Sequence, residues 1–243
     1  MGVALFEGPR SRPTLTAAGR RLAEALGPAL LRIEEAYREG GAREHEIAVR
    51  CFNGFALRWL IPRLPRYQAR CPRDDVRLAT REGADGRSAS PVDVEIVALR
   101  REDAARAGDR LLFEEEMTVV VSPRVLARRP LRVCADLAAL PEISARARPE
   151  AWRQWRALTG APTPTPTRAR TFEHYAFALE AAAAGQGACA APRHLVIDDL
   201  EHGRLVEPFA PAATGLRYVA RLRPNANAAA RRFVAWIVRE AKA

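Results

Sequence analysis

Asn53, Gly54 and Phe55 stand between EIAVRCF, an apolar run of strand character over residues 46–52, and ALRWLIPRLPRYQARCP. In the second segment Leu57, Leu60, Ile61, Leu64 and Tyr67 recur at helical spacing. A strand-to-helix turn gathers free backbone N–H groups at the positive end of a helix dipole, which is a natural seat for a carboxylate or phosphate. Asn53 is equally suited to cap the helix with its own side chain, and both roles are compatible. Thr80, at the end of the strand-like run DVRLAT, is expected to face the same cleft. Ser122 and Pro123 close the run EEMTVVVSP and are expected at a hinge. Hydroxyls there offer a donor and an acceptor to a small polar ligand. His174 opens a strongly helical segment, FEHYAFALEAAAAG. It is placed to face the first site, to hold an anionic ligand and to make binding pH-sensitive.

Other chemistry is poorly provided for. The sequence shows no Ser/His/Asp order, phosphate loop, paired carboxylates or metal-ligand spacing, and His45, His174, His194 and His202 have no evident partners. Cys51, Cys71, Cys134 and Cys189 are widely spaced and read as free thiols of a reducing compartment. A non-enzyme with no resident cofactor or metal is therefore expected. The formal net charge of +10 favours anionic partners, although Lys242 is the only lysine and the arginine excess sits among abundant alanine. No apolar stretch is long enough to span a bilayer and no leader pattern opens the chain, so a cytoplasmic protein is expected.

The elements that must position these residues follow from periodicity. VALF is a short strand candidate, EGPRSRP a tight basic turn, and Thr16 an N-cap for AAGRRLAEALGPALLRIEEAYRE. Leu22, Leu26, Leu30, Ile33 and Tyr37 form one stripe along that helix, Pro28 interrupts it, and Gly40 and Gly41 stop it. Such a stripe is expected to pack on a second copy of itself. Strands are predicted over 46–52, 75–80, 92–99 and 115–123, with REGADGRSASP as a loop. Then come a short helix and strand in LRVCADLAALPEI, a helix PEAWRQWRALTG with Trp152 and Trp155 in the core, and an extended loop APTPTPTRA. Strands in ACAAPRHLV, GRLVEPF and YVARLRP and a closing helix NAAARRFVAWIVREAKA complete the chain. Alternating strands and helices imply two α/β lobes with a ligand cleft between them.

Taken in order, these segments resemble a LysR-type transcriptional regulator of the glycine-cleavage-activator-like branch. LFEGPRSRPTLTAAGRRL is similar to the family's wing-and-linker passage, and FALRWLIPRLPRYQARCP to the first helix of its effector domain. VDVEIV with LLFEEEMTVVVSPRVLA resembles the third strand and the crossing to the second lobe; ALEAAAAGQGACAAPRHLVIDDLEHGRLVEPF resembles the helix, glycine turn and closing passage of that lobe. The resemblance implies a two-lobed type 2 periplasmic-binding-protein-like effector domain, preceded by a winged-helix remnant and a long linker helix. The implied boundaries are 1–15 for the wing, 16–41 for the linker and dimerisation helix, and 42–243 for the effector domain. Lobe I then covers about 45–121 and 222–243, and lobe II about 122–221. It implies an effector, anionic or polar, at the Asn53–Phe55 turn, DNA contact by Arg10 and Arg12 at the wing tip, and a homodimer or tetramer. The rest of the winged helix-turn-helix is not in the sequence, through a late start or a truncation. Without it the chain is a regulator or a dimerising, effector-binding remnant. A solute-binding protein shares the fold but has no use for the LT-x-A-G linker. Where the branch places arginine and glycine after the third strand, this chain has IVAL with Val97 and Leu99, so no named effector is carried over.

Overall fold

The computed structural model describes residues 3–9, 13–39, 44–81, 92–162 and 168–242, with the side chains of 30–39 and 81 left aside. These residues divide into two units, one ending at Glu44 and one beginning at His45. In the first, β1 (Phe6–Glu7) pairs antiparallel with β2 (Thr14–Leu15) and shares only Phe6 with the predicted VALF strand. Thr16 caps α1 (Ala17–Glu39) as expected: its Oγ1 accepts from the Gly19 amide at 3.1 Å and donates to the Ala4 carbonyl at 2.8 Å. A Cβ on Gly19 would run into the Leu5 carbonyl oxygen, so only glycine lets the helix start lie this close to the hairpin. Helix α1 continues through Pro28. Leu22 is half-buried and Leu26 exposed. The side chains of Leu30, Ile33 and Tyr37, and all of Arg10, Arg12, Gly40 and Gly41, lie outside the described residues.

The second unit is built on one mixed sheet of eight strands. They are β3 (Glu46–Phe52), β4 (Asp75–Arg81), β5 (Val94–Leu99), β6 (Asp109–Val120), β7 (Glu142–Ala145), β8 (Ala169–Phe172), β9 (Ala188–Pro192) and β10 (Ala212–Leu222), in spatial order β4-β3-β5-β10-β6-β9-β7-β8. The first lobe holds β3, β4 and β5, parallel to one another; the second holds β7, β8 and β9, likewise parallel. The long antiparallel pair β6 and β10 runs through both lobes. Strand β6 starts well before the predicted residue 115, and GRLVEPF contributes only a single bridge, Val206 to Val121. β8 was not foreseen, because an edge strand with mostly exposed side chains has no apolar alternation to betray it.

Alternation decides which side chain joins which core. In β9, Cys189 and Ala191 point into one apolar cluster of the second lobe, and Ala188 and Ala190 into the other. Trp152 and Trp155 of α5 (Ala151–Thr159) are buried in the latter, as their spacing predicts. The first lobe closes over Ile47, Val49, Val94 and Ile96 with Phe55, Trp59, Leu60, Tyr67, Phe233 and Trp236 from its helices. Burying each such large side chain contributes about 1.5–3 kcal/mol. These helices are α2 (Asn53–Phe55), which passes through a π-turn (Ala56–Leu60) into α3 (Ile61–Arg70), and the closing α8 (Ala228–Glu240). The second lobe adds α4 (Pro123–Arg128), α6 (Tyr175–Ala183), α7 (Ile197–Glu201) and 3-10 turns at Cys134–Ala139 and Arg193–Leu195.

Candidate functional site: a cleft between two lobes

Two strand-to-helix turns face one open space. In the first lobe β3 ends at Phe52 and α2 begins at Asn53; in the second, α6 begins at Tyr175 after His174. With the end of β9 and the middle of β6 and β10 they line a cleft of about 570 Å³. Asn53, Gly54, Phe55 and His174 all line it, so four of the residues singled out by sequence are brought together. Asn53 is the first helical residue rather than the cap. The cap position is Phe52, which makes no side-chain capping bond, so the capping role expected of Asn53 is corrected.

Thr80, Ser122 and Pro123 sit elsewhere. Thr80 is exposed on the edge strand β4 and is not among the residues lining the cleft. The expectation failed because β4 lies beyond β3, at the sheet's outer edge. Ser122 and Pro123 do lie where β6 leaves the sheet, but they line a separate depression with Arg124, Glu180 and Arg204. The Ser122 hydroxyl is buried there without a hydrogen-bond partner among the described residues.

At the cleft floor lies Glu115, whose side chain is fully buried at the point where β6 passes between lobes. Arg148 Nη1 donates to both of its carboxylate oxygens at 2.9 Å, and Arg148 Nη2 donates to Gln154 Oε1 at 2.6 Å. Burial opposes the Arg148 charge, but the Glu115 carboxylate outweighs it and raises the guanidinium above its usual pKa. Opposite Glu115 the β10 ladder slips: Ala213 pairs with Glu116 and Arg217 with Glu114, leaving Thr214, Gly215 and Leu216 to face one residue. Gly215 takes φ +79°, and the bulge turns the Thr214 hydroxyl onto Glu115, donating to Oε2 at 2.9 Å. A fully buried carboxylate is thus satisfied by one arginine nitrogen shared between its two oxygens and by a hydroxyl.

Around this pair stands an aromatic wall. Phe113 stacks on Tyr218 at 5.1 Å, Tyr218 on Phe55 at 6.0 Å, and Phe55 on Trp59 at 4.9 Å. His194 packs 4.6 Å from Tyr218 and 4.9 Å from Phe113. Burial, with Arg148 nearby as a second cause, pushes the imidazole down to about 3, so His194 is neutral. Burial also pushes the Tyr175 phenol well above its ordinary value. Glu115, Arg148, Tyr175, His194 and Tyr218 were missed in the sequence. Only Glu115 carried a signal there: it occupies the same phase of β6 as Met117 and Val119, where an apolar residue belongs.

The lobes are tied beside the cleft. Arg58 of the π-turn donates to the Leu195 carbonyl at 3.2 Å and pairs with Asp199 of α7. Arg63 of α3 binds Asp198 through both nitrogens, at 3.1 and 2.7 Å. Arg204 pairs with Asp199 at 2.9 Å and with Glu180 at 2.5 Å.

Comparison with known proteins gives this geometry a context. The family model described as "LysR substrate binding domain" matches residues 40–242. The transcriptional regulator TrpI of Pseudomonas aeruginosa is 33% identical over 227 residues, covering 89% of this chain and 75% of that protein. The glycine cleavage system transcriptional activator of Escherichia coli K12 is 28% identical over 212 residues, covering 86% and 69%. Among solved structures, the effector domain of the transcriptional regulator AmpR of Pseudomonas aeruginosa superposes with a TM-score of 0.63 at 30% identity, covering 81% of this chain and 95% of that one.

Proposed function

This chain belongs to the family of LysR substrate-binding domains, and from that premise we propose that it is a LysR-type transcriptional regulator whose cleft binds a small-molecule effector. The observation that carries the proposal is the cleft itself, walled by both lobes and holding Asn53, Gly54, Phe55 and His174. A ligand touching both walls favours one interlobe angle over another in proportion to its differential affinity for the two. The lobe movement then alters an oligomer built through the Leu22, Leu26, Leu30, Ile33 and Tyr37 stripe. Arg10 and Arg12 contribute phosphate contacts, which set affinity and salt dependence without reading sequence. The protein performs no catalysis, and it acts in the cytoplasm, where the DNA is. Transcript profiling of a deletion strain of the native host tests this. A defined set of transcripts should change and be restored by the wild-type gene; unchanged transcripts would refute it.

A further inference from the structure

The cleft differs electrically from the chain that encloses it. The chain carries a formal net charge of +10, yet the arginines lining the cleft, Arg100, Arg148 and Arg221, are matched by Asp103, Glu115 and Glu150. Two of these arginines are held by buried carboxylates, Arg148 2.9 Å from Glu115 and Arg221 2.8 Å from Asp109, whereas Arg100 and Glu102, 3.8 Å apart, are both exposed. An anionic ligand at the cleft floor would have to take an arginine from its carboxylate. At Arg148 that would leave the fully buried Glu115 uncompensated, the costly half of a broken ion pair. His194, held neutral by burial, adds no positive charge.

What the cleft offers is of another kind. The Tyr175 hydroxyl and His194 Nδ1 are both buried, both belong to residues lining the cleft, and neither has a hydrogen-bond partner among the described residues. A phenol donates and accepts, and a neutral imidazole nitrogen does one or the other according to its tautomer. Buried polar atoms left without partners call for an explanation, and a ligand supplies one. The Phe55 and Tyr218 rings behind them are buried and already stacked on each other at 6.0 Å, so the apolar surface open to a ligand comes from Phe52, Leu57 and Leu99.

We propose that the ligand of this cleft is an uncharged small molecule with an apolar body and both a hydrogen-bond donor and an acceptor. It meets Tyr175 and His194 with its polar edge and Phe52, Leu57 and Leu99 with its apolar body. The proposal rests on reading the cleft as the effector site.

Two probes of one shape separate the possibilities: benzamide, which is neutral, and benzoate, its anionic counterpart. Each is titrated into the ¹⁵N-labelled full chain at neutral pH, and the backbone amides are followed by NMR. Benzamide is expected to shift the amides of Phe55, Tyr175 and Leu195 and to bind about 10-fold more tightly than benzoate. Tyr175→Phe is expected to weaken benzamide about 5- to 10-fold without lowering the Tm, because the deleted hydroxyl has no partner among the described residues. Equal or tighter binding of benzoate in the cleft would overturn the ligand class and leave the effector reading standing. Unchanged binding by Tyr175→Phe would also overturn it. If neither probe moved a cleft amide, this inference would fall, while the effector reading would be decided separately by the transcripts of the deletion strain.

Discussion

Glu115 and Arg148 are the most consequential pair of side chains in the cleft, because neither has water to fall back on. Breaking a buried pair leaves an uncompensated charge, at a cost of about 3–5 kcal/mol, whereas replacing both partners with apolar groups is often neutral. Glu115→Leu alone should therefore lower the urea unfolding free energy by about 3 kcal/mol, and Glu115→Leu with Arg148→Met should recover most of it. Equal losses in the single and double variants would contradict this. His194 makes a separate prediction. The unfolded imidazole takes up its proton near 6.5 and the folded one only near 3. Between those values the unfolded state holds the extra proton, so stability falls as pH drops below 6.5, by about 1.4 kcal/mol per unit. Asp74 and Asp109 are held below the ordinary carboxylate range, Asp74 by its bonds from Arg232, Tyr67 and His45 against the cost of burial, and Asp109 chiefly by Arg221. Their contribution is lost only below about pH 4. Urea unfolding free energies at pH 7 and pH 5 should thus differ by about 2 kcal/mol in the wild type, and much less in His194→Phe. Of these residues only Glu115 was legible in the sequence, as an acid at an inward strand position. Arg148 lies between elements, where no periodicity reports which way a side chain points, and His194 in a 3-10 turn looks like any other histidine.

Local irregularities, more than regular strands, shape the site. The bulge at Thr214, Gly215 and Leu216 brings a hydroxyl to Glu115, and Gly215 permits it through its left-handed backbone. A Cβ there would meet nothing within 4 Å, so Gly215→Val isolates the backbone cost. A loss of about 1–2 kcal/mol is expected on urea unfolding; no loss would mean that the bulge does not need its glycine. The strands β3, β4 and β5 were readable because their apolar residues follow the sheet period, β9 because it is a short continuous apolar run, and Thr16 was readable as a cap because the chemistry is local. The bulge was not, since a register slip depends on the partner strand, which lies about a hundred residues away in sequence. The π-turn at Ala56–Leu60 was equally hidden: the Leu57, Leu60 and Ile61 spacing suits an ordinary helix.

Across the two lobes, what matters is how firmly they are joined and what moves them. Arg58 and Arg63 of the first lobe grip Asp199 and Asp198 of the second. Asp198→Asn with Asp199→Asn should speed amide hydrogen exchange in the 3-10 turn at Arg193–Leu195 by about 10-fold, while exchange in β3 and β5 stays unchanged. Acceleration spread evenly through both lobes would mean global destabilisation instead. The two-lobed plan was legible from the resemblance of consecutive segments to a known family, but the cleft's electrical balance was not. A net charge of +10 pointed to anionic ligands, and only the fold shows that the arginines of the cleft are matched by acids. The most direct measurement is hydrogen exchange of the full chain with and without a dialysed extract of the native host's small molecules. If an effector fills the cleft, protection should appear on both walls, at residues 53–57 and at residues 174–176 and 192–195, together. Protection on one wall only, or none in the cleft, would contradict a ligand that works by bridging the lobes.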